Sequence, residues 1–182
     1  KRIDSMVSTF KIKKRVKELS YEADHDYVTG LLNRRGLFHS LKDYVNGEGP
    51  FAVFIFDLDN LKKVNDVSGH ETGDKVIALF ANTILNANVE GDIIARYGGD
   101  EFLMISRNAY DKERVVSKGE EICLEFKKAC ENNNIDSSCS SGVVICLKKE
   151  EINSKIIDKA DKSLYKAKAF KKGHCVIFDE KD

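Results

Sequence analysis

The stretch IIARYGGDEFLMIS, residues 93–106, decides the fold of this chain. The side chains before the glycines and after the acids are mostly β-branched, aliphatic or aromatic, which is typical of strands. Two strand-like runs joined by Gly98 and Gly99 predict a β-hairpin, because glycine adopts the positive φ angles that tight turns require. Asp100 and Glu101 are poor strand formers, so their place at the start of the second strand calls for a reason beyond the fold.

Length and charge exclude several classes of protein. The chain has 182 residues, which is typical of one domain with its own core and one short appended element. Thirty basic and thirty acidic side chains cancel, so no overall field attracts the protein to nucleic acid or to an anionic membrane. No run approaches the roughly 18 apolar residues of a membrane span, and no signal peptide is visible. The chain begins with Lys1, which predicts a fragment of a longer protein.

The five cysteines indicate a compartment. Their number is odd and they contain no CxxC pair, which favours reduced thiols packed in the core over disulfides or a zinc site. We therefore expect a cytoplasmic domain. The sequence leaves open whether the parent protein is anchored to a membrane.

Residues 1–25 predict a helix with a narrow apolar seam. Its apolar residues form two stripes at helical spacing, about one step out of phase: Ile3, Met6 and Phe10, then Ile12, Val16, Leu19 and Ala23. Such a seam is covered either by the same domain or by a second copy of the helix, and pairing is favoured. We predict a linker or signalling helix of coiled-coil type over 1–25 and one domain over 26–182.

The rest of the chain alternates helices and strands. A continuous apolar run at 51–59 is typical of a strand covered on both faces. The remaining patterns predict strands at 137–147 and 174–179, a loop at 45–50, and helices from Gly30 to about Tyr44, at 71–88, at 111–132 and at 153–172. Mixed elements with an antiparallel hairpin predict an α+β fold, an αβ sandwich with a central, mostly antiparallel sheet flanked by helices.

Asp57 and Asp59 follow the buried strand and suggest a metal site. If this strand lies beside the hairpin, Asp57 converges with Asp100 and Glu101, and crowded carboxylates raise each other's pKa. A divalent cation stabilises such a cluster, and oxygen ligands without histidine or thiolate favour Mg²⁺ or Mn²⁺. The alternative, that an acid merely caps a turn, is the better one for a single aspartate but not for this combination.

Four segments then resemble a known family. RYGGDEF at 96–102, DLDNLKKVNDVSGHETGD at 57–74, DYVTGLLNRRGLF at 26–38 and ADKSLYKAK at 160–168 resemble the signature segments of the GGDEF diguanylate cyclase family. They occur in family order, and the resemblance covers roughly residues 24–178. It implies a palm-like αβ sandwich, similar to class III nucleotide cyclases and polymerase palms. It also implies condensation of two GTP into cyclic di-GMP and two pyrophosphates.

The resemblance implies roles for the acidic residues. Asp57, Asp100 and the Leu58 carbonyl would bind Mg²⁺ or Mn²⁺, with two ions per GTP. Glu101 would be a further carboxylate at the metals. Asp100 also matches the position that accepts the proton of the attacking 3′-hydroxyl. Lys62 matches a position that steadies phosphate charge, and a solvated lysine is an equal alternative there.

The resemblance also implies how GTP is held. Asn65, His70 and Asp74 match the guanine pocket, and a carboxylate such as Asp74 can accept both N1–H and N2–H of guanine. Lys168 would contact the triphosphate, although a solvated helical lysine competes with that reading. The family's arginine after this segment is missing. Lys172 would replace it as a point charge without the planar bidentate contact.

A second departure concerns regulation. Many family members bind product through Arg-x-x-Asp, ending six residues before the first glycine. Here the four residues are Val89, Glu90, Gly91 and Asp92, so only the aspartate is kept. We predict that high-affinity product inhibition at this site is absent.

Two functions remain open from the sequence. The first is an active diguanylate cyclase with GTP as substrate and cyclic di-GMP as product. It would act as a homodimer of facing domains under an upstream sensory domain. The second is a non-catalytic module that binds GTP or cyclic di-GMP and signals by protein contact. The intact metal and guanine positions favour the enzyme, and we expect no nucleic-acid or membrane contact by this fragment.

Overall fold

The computed structural model describes residues 2–43, 48–170 and 172–180. In these ranges one six-stranded sheet is flanked by helices, and a long helix precedes it. The helices are α1 (Arg2–Asp24), α2 (Arg34–Asp43), α3 (Leu61–Ser68), α4 (His70–Asn86), α5 (Lys112–Asn132) and α6 (Ser154–Phe170). The strands are β1 (Leu32–Asn33), β2 (Glu48–Asp59), β3 (Ile93–Arg96), β4 (Glu101–Ser106), β5 (Ser138–Lys148) and β6 (Cys175–Ile177).

The sheet has the strand order β1-β3-β4-β2-β5-β6. The three inner pairs are antiparallel, and the two edge pairs, β1 with β3 and β5 with β6, are parallel. The α+β class, the mostly antiparallel sheet and the 93–106 hairpin are therefore confirmed. Because β4 of the hairpin pairs directly with β2, the two carboxylate segments lie side by side.

Strand β2 lies at the centre of the sheet and is buried on both faces. Alternate side chains enter two different hydrophobic cores, as period-two geometry requires. Phe54 and Phe56 pack with Phe80, Phe102 and Phe126 on one face. Phe51, Val53 and Ile55 enter the core on the other face. The prediction of a strand covered on both sides is confirmed, and this burial holds the end of β2 rigidly.

The two faces are covered by different helices. The apolar stripes of α4 and α5 pack on the aromatic face, and those of α2 and α6 pack on the opposite one. Helix α6 approaches β5 closely at Gly142, where a Cβ would overlap the Ala160 carbonyl oxygen. This close approach sets where α6 carries Lys168.

Three elements were not predicted: β1, α3 and a short 3₁₀ helix at Lys149–Glu151. Helix α3 begins at Leu61, directly after the N-cap residue Asn60, whose left-handed φ of 65° ends the strand abruptly. The predicted helix end at Tyr44 and the loop at 45–47 fall outside the described residues. The predicted loop at 48–50 is wrong, because β2 already begins at Glu48.

Helix α1 confirms the predicted N-terminal helix, and most of the described part of its apolar stripe is exposed. Phe10, Ile12, Val16 and Leu19 are all exposed, so the domain's own surface does not cover them. The Ile3 and Met6 side chains lie outside the described part of the chain. Within the described ranges, no helix is both long and apolar enough to cross a membrane.

Candidate active site at the end of strand β2

The strand register brings the predicted acids together. Asp57 lies directly opposite Glu101 in the β2–β4 pairing. The Leu58 amide donates a hydrogen bond to the Asp100 carbonyl oxygen at 3.0 Å, which ties the hairpin turn to the end of β2. The predicted neighbourhood of these residues is therefore present in the fold.

An open cleft of about 510 Å³ lies at this end of the sheet. Its walls include Asp57 and Asp100 and the three lysines that the resemblance assigns to phosphate: Lys62, Lys168 and Lys172. The Leu58 side chain is buried in the core, so only its backbone can serve a ligand in the cleft. Acids and lysines around one cleft can hold a polyphosphate together with cations.

The electrostatics of the cleft are those of crowded carboxylates. Burial is the largest influence on Asp57 and raises its pKa. The hydrogen bond and charge of Lys168 oppose this increase, the weaker repulsion from Asp100 and Asp59 adds to it, and the pKa is raised overall. Burial also raises the pKa of Glu101, and the negative charges of Asp57 and Asp100 add to it. These carboxylates are more costly to ionise than isolated ones, so a bound cation would stabilise the site.

Lys168 supplies positive charge to this group. Its Nζ forms an ion pair with Asp57 Oδ1 at 2.5 Å. Lys172 Nζ donates to Asn60 Oδ1 at 3.2 Å, in the lining of the same cleft. Lys62 is exposed at the start of α3. The three lysines thus reach one cleft from two different helices and a loop.

Asp59 holds the end of β2 in place. Its Oδ2 accepts hydrogen bonds from Ser138 Oγ and Ser140 Oγ at 2.8 and 2.9 Å, and its carbonyl oxygen accepts from Ser137 Oγ at 2.8 Å. The Asp57 carboxylate thus faces the cleft, while the Asp59 carboxylate anchors the end of the strand. These serines were not predicted as partners of Asp59, although the run SSCSS at 137–141 carries several hydroxyl donors.

The oxygen donors fit a hard divalent cation, with one correction. In the described ranges no three histidine, cysteine, aspartate or glutamate side chains gather tightly enough to form a metal cage, so Asp57, Asp100 and Glu101 do not form a preformed cluster. The Asp57 carboxylate pairs instead with the Lys168 ammonium. Two carboxylates with raised pKa values and backbone oxygens still match Mg²⁺, which keeps waters and substrate phosphates in its shell.

The reason given for the glycine pair also needs correction. Gly98 and Gly99 do not adopt positive φ angles. A Cβ on Gly98 would come within 2.7 Å of Glu101 Oε2, whereas Gly99 faces open space. Close approach of the Glu101 carboxylate therefore accounts for Gly98, and Gly99 borders open space.

The proposed guanine residues lie beside the cleft on the α3–α4 pair. The Asn65 side chain packs on Gly73, where a Cβ would overlap Asn65 Oδ1. Asp74, the next residue, and His70, one turn earlier, are exposed. The fold therefore brings Asn65 next to the Asp74 turn.

The Asp92 site is occupied by the protein itself. Asp92 Oδ2 accepts from Lys118 Nζ at 2.7 Å and from the Val89 amide at 3.1 Å. Lys118 also donates to Ser106 Oγ at 2.9 Å. The carboxylate that the sequence retains is thus committed to holding the loop between α4 and β3.

This fold and site define the class of the protein: a palm-like nucleotidyl cyclase domain with a carboxylate cleft beside a two-glycine hairpin. The family described as diguanylate cyclase, GGDEF domain, matches residues 23–174, and the chain belongs to this family.

Individual relatives agree with the family. Diguanylate cyclase DgcM of Escherichia coli is 32% identical over 161 residues, covering 85% of this chain and 38% of DgcM. Cyclic di-GMP phosphodiesterase PdeR of the same organism is 30% identical, covering 86% of this chain and 24% of PdeR. The chain spans between about a quarter and somewhat over half of the length of the curated relatives it matches.

Solved structures show the same fold. The coiled coil and GGDEF domain of DgcB from Caulobacter crescentus, in complex with c-di-GMP, superimposes with a TM-score of 0.84 at 27% identity. The match covers 96% of this chain and 95% of that one.

Proposed function

We propose that this protein is a diguanylate cyclase that condenses two GTP into cyclic di-GMP and two pyrophosphates. The observation that carries the proposal is the cleft at the end of β2, where Asp57 and Asp100 face three lysines. The pKa of Asp57 is raised by burial and by neighbouring carboxylates, and a bound cation would favour its ionised form. In the reaction each 3′-oxygen bonds to the α-phosphorus of the other GTP, and the bond to the β-phosphate oxygen breaks.

Two Mg²⁺ or Mn²⁺ ions per GTP would be held by Asp57, Asp100, Glu101 and the Leu58 carbonyl. When bound, such ions stabilise charge on the entering and leaving oxygens of an in-line displacement. Asp100, at the mouth of the cleft, would accept the proton of the 3′-hydroxyl.

The lysines would position the triphosphate. Lys168 already forms an ion pair with a carboxylate, and its flexible stem lets it exchange Asp57 for a phosphate oxygen. Lys62 and Lys172 would add point charges at two other walls of the cleft. Because no arginine stands at Lys172, the contact there lacks the bidentate geometry that fixes a phosphate's orientation.

The base would be read by the α3–α4 pair. Asp74 is exposed and can accept from N1–H and N2–H of guanine, and Asn65 can both donate and accept. His70 lies one turn before Asp74 and would close the pocket. GTP is the expected substrate because a carboxylate offers nothing to the corresponding acceptor at N1 of adenine.

Turnover would require two copies of the chain. One domain holds one GTP, so two clefts must face each other. The open seam of α1, with Phe10, Ile12, Val16 and Leu19 exposed, is suited to pair with a second copy. We infer that residues 1–25 form this linker, that 26–182 form the catalytic domain, and that an upstream sensory domain sets the pairing. The five free cysteines agree with a cytoplasmic location.

A non-catalytic signalling module is the second candidate. A relative with 30% identity is named a phosphodiesterase, so family membership does not by itself assign cyclase activity. Lys172, which stands in for the family's phosphate-contacting arginine, also favours the non-catalytic candidate.

The two candidates are separated by one experiment. The chain is fused to a strong parallel coiled coil in the α1 register, incubated with GTP and Mg²⁺, and assayed for pyrophosphate and cyclic di-GMP. If the protein is a cyclase, both products should form in a ratio of two pyrophosphates per cyclic di-GMP. The Asp100→Ala variant should form neither. A fused dimer that binds GTP but forms neither product would favour the signalling module.

A further inference from the structure

We propose that Arg96 is a positioning residue that couples the end of helix α1 to the turn carrying Asp100; this inference rests on the proposed cyclase activity. Arg96 is the last residue of β3 and directly precedes the Tyr97–Asp100 turn. Its side chain lies between the N-terminal segment and that turn, and it is only 13% exposed.

The guanidinium binds both regions at once. Its Nη1 donates to the two carboxylate oxygens of Asp26, each at 3.2 Å. Its Nε and Nη2 donate to the Gly99 carbonyl oxygen at 3.2 and 2.8 Å. One planar group with donors fixed in a fork therefore sets the distance between Asp26 and the peptide that leads into Asp100.

Asp26 is held rigidly on the other side. Its Oδ1 accepts from the Thr29 amide and the Thr29 hydroxyl at 2.9 and 2.8 Å. Its backbone carbonyl accepts from the Gly30 amide and its own amide donates to the Leu31 carbonyl, both at 2.8 Å. The turn is closed by Gly30, whose φ of 70° is left-handed. A movement of this turn therefore carries the Asp26 carboxylate with it.

The turn that contains Asp26 is fastened to α1. Asp26 lies two residues beyond the end of the helix. Asn33 Nδ2 donates to the Ala23 and His25 carbonyl oxygens at 2.9 and 3.3 Å. These bonds cap the last turn of α1, so rotation of the helix end reaches Asp26 without passing through a flexible linker.

The position of Asp26, transmitted through Arg96, affects the Gly99 peptide. Gly99 has no side chain to anchor it and open space beside its Cα. Asp100, the next residue, has its carbonyl tied to the Leu58 amide at the end of β2. With one side of Asp100 fixed by β2 and the other by Arg96, the direction of its side chain depends on both. Arg96 thus links the geometry of a paired α1 to the orientation of the proposed base.

The test compares Arg96→Lys and Arg96→Ala with the matched control Arg35→Ala. Arg35 also contacts the helix end, through an ion pair with Asp24 at 3.2 Å, and among the described residues it forms no hydrogen bond or ion pair with the Gly99 turn. We expect both Arg96 variants to lower kcat by about 100-fold, the effect of misplacing a reacting group by about an ångström. The KM for GTP should stay within about twofold, because the guanine of GTP would be bound by residues of α3 and α4, away from the turn.

Hydrogen exchange supplies a readout that does not depend on activity. Amides of residues 97–101 should exchange faster in Arg96→Ala and in Asp26→Asn than in the wild type, with no change in Arg35→Ala. Equal kcat in the Arg96 and Arg35 variants, or unchanged exchange at 97–101 in folded Arg96→Ala, would overturn the proposal. If the wild-type chain forms no product, the cyclase proposal fails instead, and the exchange data alone decide whether Arg96 orders the turn.

Discussion

Two carboxylate–lysine pairs lie at opposite ends of the sheet. They have the same composition but differ in exposure and in the groups around them. Asp92 pairs with Lys118, is 4% exposed, and has a second donor in the Val89 amide. Asp57 pairs with Lys168, is 15% exposed, and lies beside Asp100 and Glu101 at an open cleft.

The difference separates a structural pair from a functional one. The Asp92 pair is satisfied from within the protein, because Lys118 also bonds to Ser106 and closes the loop before β3. At Asp57 burial and neighbouring negative charges raise the pKa despite Lys168. A pair whose partners are complete stabilises the fold, whereas a pair crowded by further carboxylates stores an unfavourable interaction that a ligand can relieve.

The largest expected effect is at the cleft. Asp100→Ala should lower kcat by about 10³-fold or more, because it removes the proposed base and one metal ligand together. The side chain lies at a turn outside the core, so the midpoint of thermal unfolding should change little. Pyrophosphate release measures the first quantity and calorimetry the second. Activity within tenfold of wild type would remove Asp100 from the reaction.

For the free energy of unfolding, the Asp92–Lys118 pair should matter more than the Asp57–Lys168 pair. Asp92→Ala should lower the free energy of unfolding by about 2–3 kcal/mol, because it leaves the Lys118 ammonium and the Val89 amide without their partner. Asp57→Asn should change that free energy by less than about 1 kcal/mol, since losing the Lys168 pair is offset by relief of repulsion. Urea unfolding of both variants decides the comparison, and equal losses would contradict it.

Cation binding sharpens the same contrast. Mn²⁺ at about ten times its dissociation constant should raise the thermal midpoint of the wild type by about 3–5 °C. Asp57→Asn should lose most of this increase, and Asp92→Asn should retain it in full. An increase that survives in Asp57→Asn would place the cation elsewhere.

A smaller effect is expected from Asp26, with a defined pH dependence. Burial alone would raise its pKa, but hydrogen bonds from Thr29 and Arg96 lower it below the ordinary 3.8. A carboxyl with a lowered folded-state pKa stabilises the protein above its unfolded-state pKa and loses this effect as pH falls through the folded-state pKa. Asp26→Asn should therefore cost about 1–2 kcal/mol at pH 7 and progressively less in urea titrations carried down towards pH 3. A cost that is constant with pH would mean that the charge contributes nothing.

The smallest effect is expected from added product. With Asp92 committed to Lys118 and Val89 in the arginine position, cyclic di-GMP should not inhibit turnover at sub-micromolar concentrations. A product titration of the initial rate measures this. Inhibition in that range would require a binding site built from other residues.

Local patterns predicted much of this molecule. Periodicity and apolar runs indicated the long helices, the central strand and the hairpin, because each depends on neighbours within one element. Helix α3 was not predicted because it follows strand β2 directly, with only the left-handed N-cap residue Asn60 between them. The positive φ expected at Gly98 and Gly99 was wrong, since the space around Glu101 rather than the backbone angle explains the glycine at 98.

The sequence by itself determined the fold class, the family and the set of acids and lysines that meet at the cleft, because adjacent strands and ordered motifs are written in local spacing. Only the tertiary structure decided which acids are structural. Asp59 is held by serines about 80 residues away, Asp92 by Lys118 on α5, and Asp57 by Lys168 on α6. Whether a carboxylate is satisfied or crowded depends on partners from distant segments, and their approach follows from packing rather than from neighbouring residues.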